Sequence, residues 1–263
     1  MSHQCIRFEN IAGVARLTLS RPERLNSFNV TMHTEVRSVL AELAAGPGAR
    51  VLVITGAGRG FCAGQDLGER AVAPGGQSAD LGESIEKYYK PLVLALRQLP
   101  MPVIAAVNGV AAGAGVNIAL ACDLVIAARS ATFVQAFSRL GLVPDSGGTW
   151  FLPRLVGNAR ALGLTLLGEK LPAQTAAEWG LIWKCVEDAE LSGFVDTLAT
   201  QLAEAATLGF ARTKQAIYDG WGRTLEQQLD VERDYQRELG RTADYAEGVA
   251  AFAQKRPPRF SGR

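Results

Sequence analysis

Apolar and polar residues alternate over 5–9 and 14–20, on either side of Ile11-Ala-Gly13, which predicts a hairpin with one buried face. Arg21-Pro22 ends the second strand. From 30 to 45 the apolar spacing becomes helical, and Gly46-Pro47-Gly48 stops that helix. Compact apolar runs follow at 51–54, 103–107 and 124–128, separated by helical stretches such as 85–99. This rhythm predicts successive strand–helix crossovers, with the short strands buried on both faces. The stretch 71–80, rich in glycine and small residues, reads as a loop.

From Asn158 onward the pattern is almost wholly helical, over 159–167, 172–179 with Pro172 at the first helical position, 191–206, 212–218, 225–239 and 245–254. Thr224-Leu-Glu-Gln227 predicts a capping box. No linker rich in Ser, Pro or Gly separates independent domains, and no short repeat appears. The chain therefore reads as a β-rich core followed by a helical tail.

Composition narrows the chemistry. With 263 residues and 48% hydrophobic content, the chain can bury its own core. Its 27 basic and 26 acidic residues nearly cancel to +1, so no global field favours nucleic acid or an anionic membrane. Cys5, Cys62, Cys122 and Cys185 are scattered without a C-x-x-C pair, which fits reduced thiols in a cytoplasmic setting and predicts no disulfide framework or metal site. The N-terminus carries no export signal, and no apolar run approaches the ~18 residues of a membrane span. His3 and His33 both precede residue 34, so Ser146 lacks a nearby histidine to activate it and reads as a turn residue.

Three motifs remain. Gly56-Ala-Gly-Arg-Gly-Phe-Cys-Ala-Gly-Gln-Asp66 and Asn108-Gly-Val-Ala-Ala-Gly-Ala-Gly115 each follow a strand-like run. Gly58 to Ala63 formally fits a dinucleotide-binding turn, but the candidate acid, Asp80, lies in a loop rather than at a strand end. The turns instead suit delivery of backbone N–H groups to a carbonyl oxygen, with helices beginning near Asp66 and Ala112. Tight helix packing is the alternative use for Gly113-Ala-Gly115. The third motif, Leu140-Gly-Leu-Val-Pro-Asp-Ser-Gly-Gly148, sets one acid, Asp145, between apolar residues and two glycines. Asp145 serves either as a base or as a cap for a helix starting near Ser146.

These turns, with Leu120-Ala-Cys-Asp123, Arg21-Pro-Glu-Arg-Leu-Asn26 and Ala251-Phe-Ala-Gln-Lys-Arg256, resemble the crotonase (enoyl-CoA hydratase/isomerase) superfamily over nearly the whole chain. The resemblance implies an α/β fold, a crotonase-like ββα spiral core over 1–200 holding CoA and the active site, and a helical oligomerisation region over 201–263. It implies a homotrimer or dimer of trimers. The backbone N–H groups of Gln65 and Ala114 would form the oxyanion hole, with Gly115, Asn117 and Phe137 in the substrate pocket. Arg24, Leu25, Ala63, Asp66, Leu67, Phe252 and Lys255 would contact CoA, although Asp66 also reads as a turn residue. Phe61, Tyr88, Tyr89 and Trp150 would line an aromatic acyl pocket or pack in the core.

Hydratases of the family carry glutamates where this chain has Asn117 and Phe137, which implies feeble hydration. Asp145 matches the aspartate of the isomerases, with Leu142, Val143 and Phe137 placed to desolvate it. Within the family the long motifs resemble ring-epoxide isomerases of phenylacetate breakdown. That implies conversion of ring-1,2-epoxyphenylacetyl-CoA to oxepin-CoA, with no cofactor beyond the CoA of the substrate. An aliphatic 3-enoyl-CoA to 2-enoyl-CoA isomerase is one alternative. Another is a non-catalytic subunit that binds a partner enoyl-CoA hydratase, against which Asp145 argues.

Overall fold

The hairpin forms as its alternation predicts. In the computed structural model, which describes residues 3–46, 48–70 and 80–262, strands β1 (Ile6–Ile11) and β2 (Val14–Leu19) pair antiparallel. Ala12 and Gly13 take φ of 52° and 82°, the left-handed pair that matches the twist of a two-residue turn. Helix α1 (Val30–Ala45) follows, and the Asn29 side chain accepts the Met32 N–H at its start.

The chain then repeats one motion three times. It contributes a strand to a long sheet, then a strand to a short sheet, then a helical segment. The first unit is β3 (Val51–Gly56), β4 (Gly60–Cys62), α2 (Leu81–Ser84) and α3 (Lys90–Gln98). The second is β5 (Val103–Val107), β6 (Val110–Ala112) and α4 (Ala114–Leu120), and the third β7 (Leu124–Ala128), β8 (Thr132–Val134) and α5 (Gly148–Leu167). After them come β9 (Lys170–Pro172), α6 (Ala173–Glu178), β10 (Lys184–Val186), α7 (Leu191–Glu204), α8 (Thr207–Gly220), α9 (Leu225–Leu239) and α10 (Ala243–Ala253).

The long sheet runs β1-β2-β3-β5-β7-β10, parallel from β2 onward, and the short sheet runs β4-β6-β8-β9. This is the expected ββα spiral. β3, β5 and β7 are almost entirely buried, which explains their unbroken apolar character. In the short sheet Cys62 pairs with Ala111 and Ala112 with Val134, so the turns leaving β4 and β6 emerge beside each other.

Three expectations change. The helix predicted over 85–99 starts earlier, at α2, and passes through a π-helical stretch, Ile85–Tyr89, before α3. Pro91 has no N–H to give the Lys87 carbonyl, which instead accepts from Arg37 Nη1 at 3.1 Å. The tail is not wholly helical, because three-residue strands such as β9 and β10 are too short to show alternation. Pro172 ends β9 and precedes α6 rather than opening it. The predicted 159–167 segment is the second half of α5, which breaks at Gly157 (φ 75°). The proposed boundary at 200 falls inside α7, whose Val195, Ala199 and Ala203 are buried. The loop expected over 71–80 lies outside the described residues except for Asp80, whose side chain caps α2.

One buried ionic cluster ties the helical layer to the sheet. The Asp123 carboxylate accepts from Lys214 Nζ at 2.8 Å, from the Val103 N–H at 2.7 Å and from the Tyr218 hydroxyl. Burial pushes the Tyr218 hydroxyl well above its ordinary range, and Asp123 adds to that push. Burial lowers Lys214 despite the same carboxylate. Among the described residues no helix is long and apolar enough to cross a membrane.

Candidate active site

The adjacent turns after β4 and β6 bring two backbone amides together. Gly64 has φ of 88°, and a Cβ there would stand 2.8 Å from the Ala112 carbonyl oxygen and 3.2 Å from the Ala114 nitrogen. Only a residue without a side chain lets the turns approach so closely. The next residue, Gln65, forms a parallel bridge with Phe28: the Phe28 N–H donates to Gly64 O at 2.7 Å and the Asp66 N–H to Phe28 O at 2.9 Å. Those bonds use the groups flanking Gln65, so its own N–H points to the opposite side of the strand. Ala114 opens α4, and the N–H of a first helical residue has no intrahelical acceptor. Gly115 presses on β4, since a Cβ there would lie 2.2 Å from Cys62 O.

Asp145 reaches the same region through Asn117, one helical turn after Ala114. Asn117 is fully buried. Its Nδ2 donates to the Asp145 carbonyl at 2.8 Å, and its Oδ1 accepts from Gln135 Nε2 at 2.8 Å. Gly148 makes room for this amide, because a Cβ there would lie 2.5 Å from Asn117 Nδ2. Ser146, at φ 51°, donates its hydroxyl to Asp145 Oδ1 at 2.9 Å. Phe137 is buried, and its ring lies 3.8 Å from where a Gly113 Cβ would stand, beside the Ala114 turn.

Two expectations about Asp145 change here. Helix α5 begins at Gly148, its N-cap position is Gly147 rather than Asp145, and Asp145 accepts the Gly148 N–H at 2.8 Å through its main-chain carbonyl. Leu142 and Val143 are 40% and 72% exposed, so proximity in sequence does not make them a dry wall for the carboxylate.

The expected CoA-contacting residues fall into two places. Leu25 O accepts from the Ala63 N–H at 2.9 Å, and Arg21 Nη2 pairs with Asp66 Oδ2 at 2.8 Å, which unites the Arg24–Leu25 turn with Ala63, Asp66 and Leu67. Asp66 Oδ1 also accepts from the Gly68 N–H at 3.0 Å. Burial alone would raise the Asp66 carboxyl, but the Arg21 bond and the Gly68 N–H outweigh it and hold it below its ordinary 3.8. Asp66 is thus occupied as a turn residue. Arg24 and Leu67 are exposed. Phe252 and Lys255 lie in the helical layer, where Phe252, 88% exposed, lines an apolar groove with Leu208, Leu239 and Val249.

The four aromatic residues do not form one pocket. Phe61 is in the core. Tyr89 is buried and donates its hydroxyl to Gln65 Oε1 at 2.9 Å, and Tyr88 stacks on His33. Trp150 packs against Phe151 and Trp221. Burial pushes the Cys62 thiol up to about 12 and Cys122 higher still, which removes both as nucleophiles at neutral pH. The sequence reading missed Gln135, the Ser146 hydroxyl, Tyr89 as a partner of Gln65, and Arg21. The available signal for Gln135 was one amide between Phe133-Val134 and Ala136-Phe137.

A family model described as enoyl-CoA hydratase/isomerase matches residues 9–263. A 1,2-epoxyphenylacetyl-CoA isomerase of Escherichia coli strain K12 is 57% identical over 251 residues, spanning 95% of this chain and 96% of that one. A Rhodobacter capsulatus protein named "Probable enoyl-CoA hydratase" is 48% identical over 263 residues, 100% of both chains. The crystal structure of an enoyl-CoA hydratase from Bacillus anthracis, 33% identical, superposes with a TM-score of 0.91 over 99% of this chain and 100% of that one.

Proposed function

The chain belongs to the enoyl-CoA hydratase/isomerase family, and on that premise we propose that it isomerises a CoA thioester, with Asp145 carrying the proton and the Gln65 and Ala114 N–H groups receiving the thioester oxygen. The carrying observation is the use made of Asn117. Both ends of its amide are engaged, by Gln135 and by the Asp145 main chain, and neighbouring Phe137 has no group that transfers protons. Hydration needs groups that orient water and move its protons. Asp66 is paired with Arg21, and proton transfer between carbons is assigned to Asp145, whose Oδ1 accepts from the Ser146 hydroxyl.

Removing an α-proton from a thioester places charge on the carbonyl oxygen. Each amide that meets that charge contributes about 2.7–4 kcal/mol, and a positioned base contributes on the order of a hundredfold to ten-thousandfold. The substrate in this reading is ring-1,2-epoxyphenylacetyl-CoA. Asp145 takes the proton next to the thioester, the bond between the two epoxide carbons opens to give the seven-membered oxepin, and the same acid returns the proton at another carbon. The name of the Escherichia coli relative supports this choice. The Arg24–Leu25 turn and the main chain of 63–67 would carry the CoA. The helical layer would join copies into a trimer or dimer of trimers, for which exposed Leu225, Leu229, Val249 and Phe252 supply apolar surface. Light scattering tests that assembly.

The deciding assay follows oxepin formation from the ring-epoxide thioester by mass spectrometry and ultraviolet absorbance, beside hydration of a 2-enoyl-CoA and isomerisation of 3-hexenoyl-CoA. Oxepin formation that disappears in Asp145→Asn is the expected result. Hydration without isomerisation would overturn the reading.

A further inference from the structure

Between the oxyanion turn and the acid lies a chain of neutral groups buried from solvent. Gln135, in the segment after β8, donates to Asn117 on α4, and Asn117 donates to the main chain of Asp145 ahead of α5. Both side chains are almost fully enclosed, and Gln135 Oε1 has no hydrogen-bond partner among the described residues. An apolar pair of similar volume would fill this space without that desolvation cost. The bonds go to the carbonyl of Asp145 rather than its carboxylate, so they fix where the residue stands without consuming its proton-carrying group. They also start one turn from Ala114, on the same helix. Displacing Asn117 would therefore move the acid relative to the amide that receives the oxygen.

We propose that Gln135 and Asn117 are a positioning pair for Asp145, Gln135 acting only through Asn117, and that together they set the distance between the acid and the Ala114 N–H. This rests on the assignment of Asp145 as the proton carrier. Misplacing a reacting group by about 1 Å costs on the order of a hundredfold. Gln135→Met keeps the volume and loses the donor, and should lower kcat about tenfold. Asn117→Ala should lower it about a hundredfold.

The test measures kcat and KM for both variants and for the double variant. It also records the absorbance red shift of bound cinnamoyl-CoA, which reports polarisation of the thioester by the two amides. The expected result is lower kcat with KM and red shift unchanged, and a double variant no slower than Asn117→Ala alone. Unchanged kcat in Gln135→Met, multiplying losses in the double variant, or loss of the red shift would overturn the pair. Should Asn117→Ala fail to fold, Gln135→Met still decides through its kcat and red shift. Asp145→Asn is run alongside: full turnover in that variant removes the proton-carrier assignment and the pair with it. An inactive Asp145→Asn beside unaffected Gln135→Met removes the pair alone.

Discussion

Two of the buried polar clusters among the described residues are built from opposite materials. Around Asp123 the tie is an ion pair with Lys214, joined by two neutral donors, the Tyr218 hydroxyl and the Val103 N–H, and it locks α8 to the start of β5. Around Asn117 the groups are amides, and they grip the main chain of Asp145. The first arrangement engages its carboxylate from three sides and suits a structural tie. The second directs its bonds away from the carboxylate it positions. Burial makes both costly to break, since a buried polar group that loses its partner bears its full desolvation penalty.

The comparison breaks most visibly at Lys214. Lys214→Met leaves buried Asp123 without its hydrogen-bonded cation, with Arg97 as the remaining positive charge acting on it, and urea unfolding should show a loss of about 3 kcal/mol. A loss under about 1 kcal/mol would mean that the ionic cluster is no stronger than a surface pair. Gly148→Ala attacks the amide cluster through space, because its methyl would enter the place of Asn117 Nδ2. We expect about 1–3 kcal/mol of destabilisation together with a fall in kcat, and a normal kcat would show that Asn117 has room to yield.

A smaller effect is expected at Ser146. Ser146→Ala removes the hydroxyl bonded to Asp145 Oδ1 and should slow turnover about tenfold, on the order of the loss of one hydrogen bond. Ser146→Gly removes the same bond while relieving the positive φ. Equal kcat losses in the two variants, with only the glycine form gaining stability, would separate the hydroxyl from the backbone.

The smallest effect concerns acid stability at the Arg21–Asp66 pair. The folded Asp66 carboxyl titrates below its ordinary 3.8, so the unfolded chain binds the proton more readily in that interval. The pair's contribution is present above 3.8 and is lost as pH falls through the lower folded value. Asp66→Asn should flatten this limb of the unfolding profile, and an unchanged slope would remove the pair from the acid response.

Much of the frame was legible along the chain. The hairpin, α1, the three buried strands and the Thr224 capping box each depend on local spacing, and each formed. The π-helical stretch escaped because helical periodicity is the same on either side of it, although Pro91 marked the place. Leu142 and Val143 misled because an apolar residue can face solvent as readily as the core, and sequence carries no direction.

At the site, the glycines of the two turns and the single acid were visible as residue types, and the family motifs ordered them. The pairing of Gln135, Asn117 and Asp145 was not, because those contacts join residues 18 and 28 positions apart. By itself the sequence determined the strand–helix rhythm, the places where backbone had to approach backbone, and the acid to which we assign proton transfer. Tertiary structure alone decided which amide holds that acid, which aspartate is taken up by an arginine, and which apolar residues are exposed. Hydrogen bonds and burial are set by distances between elements that the spiral winds together, and no local pattern encodes those distances.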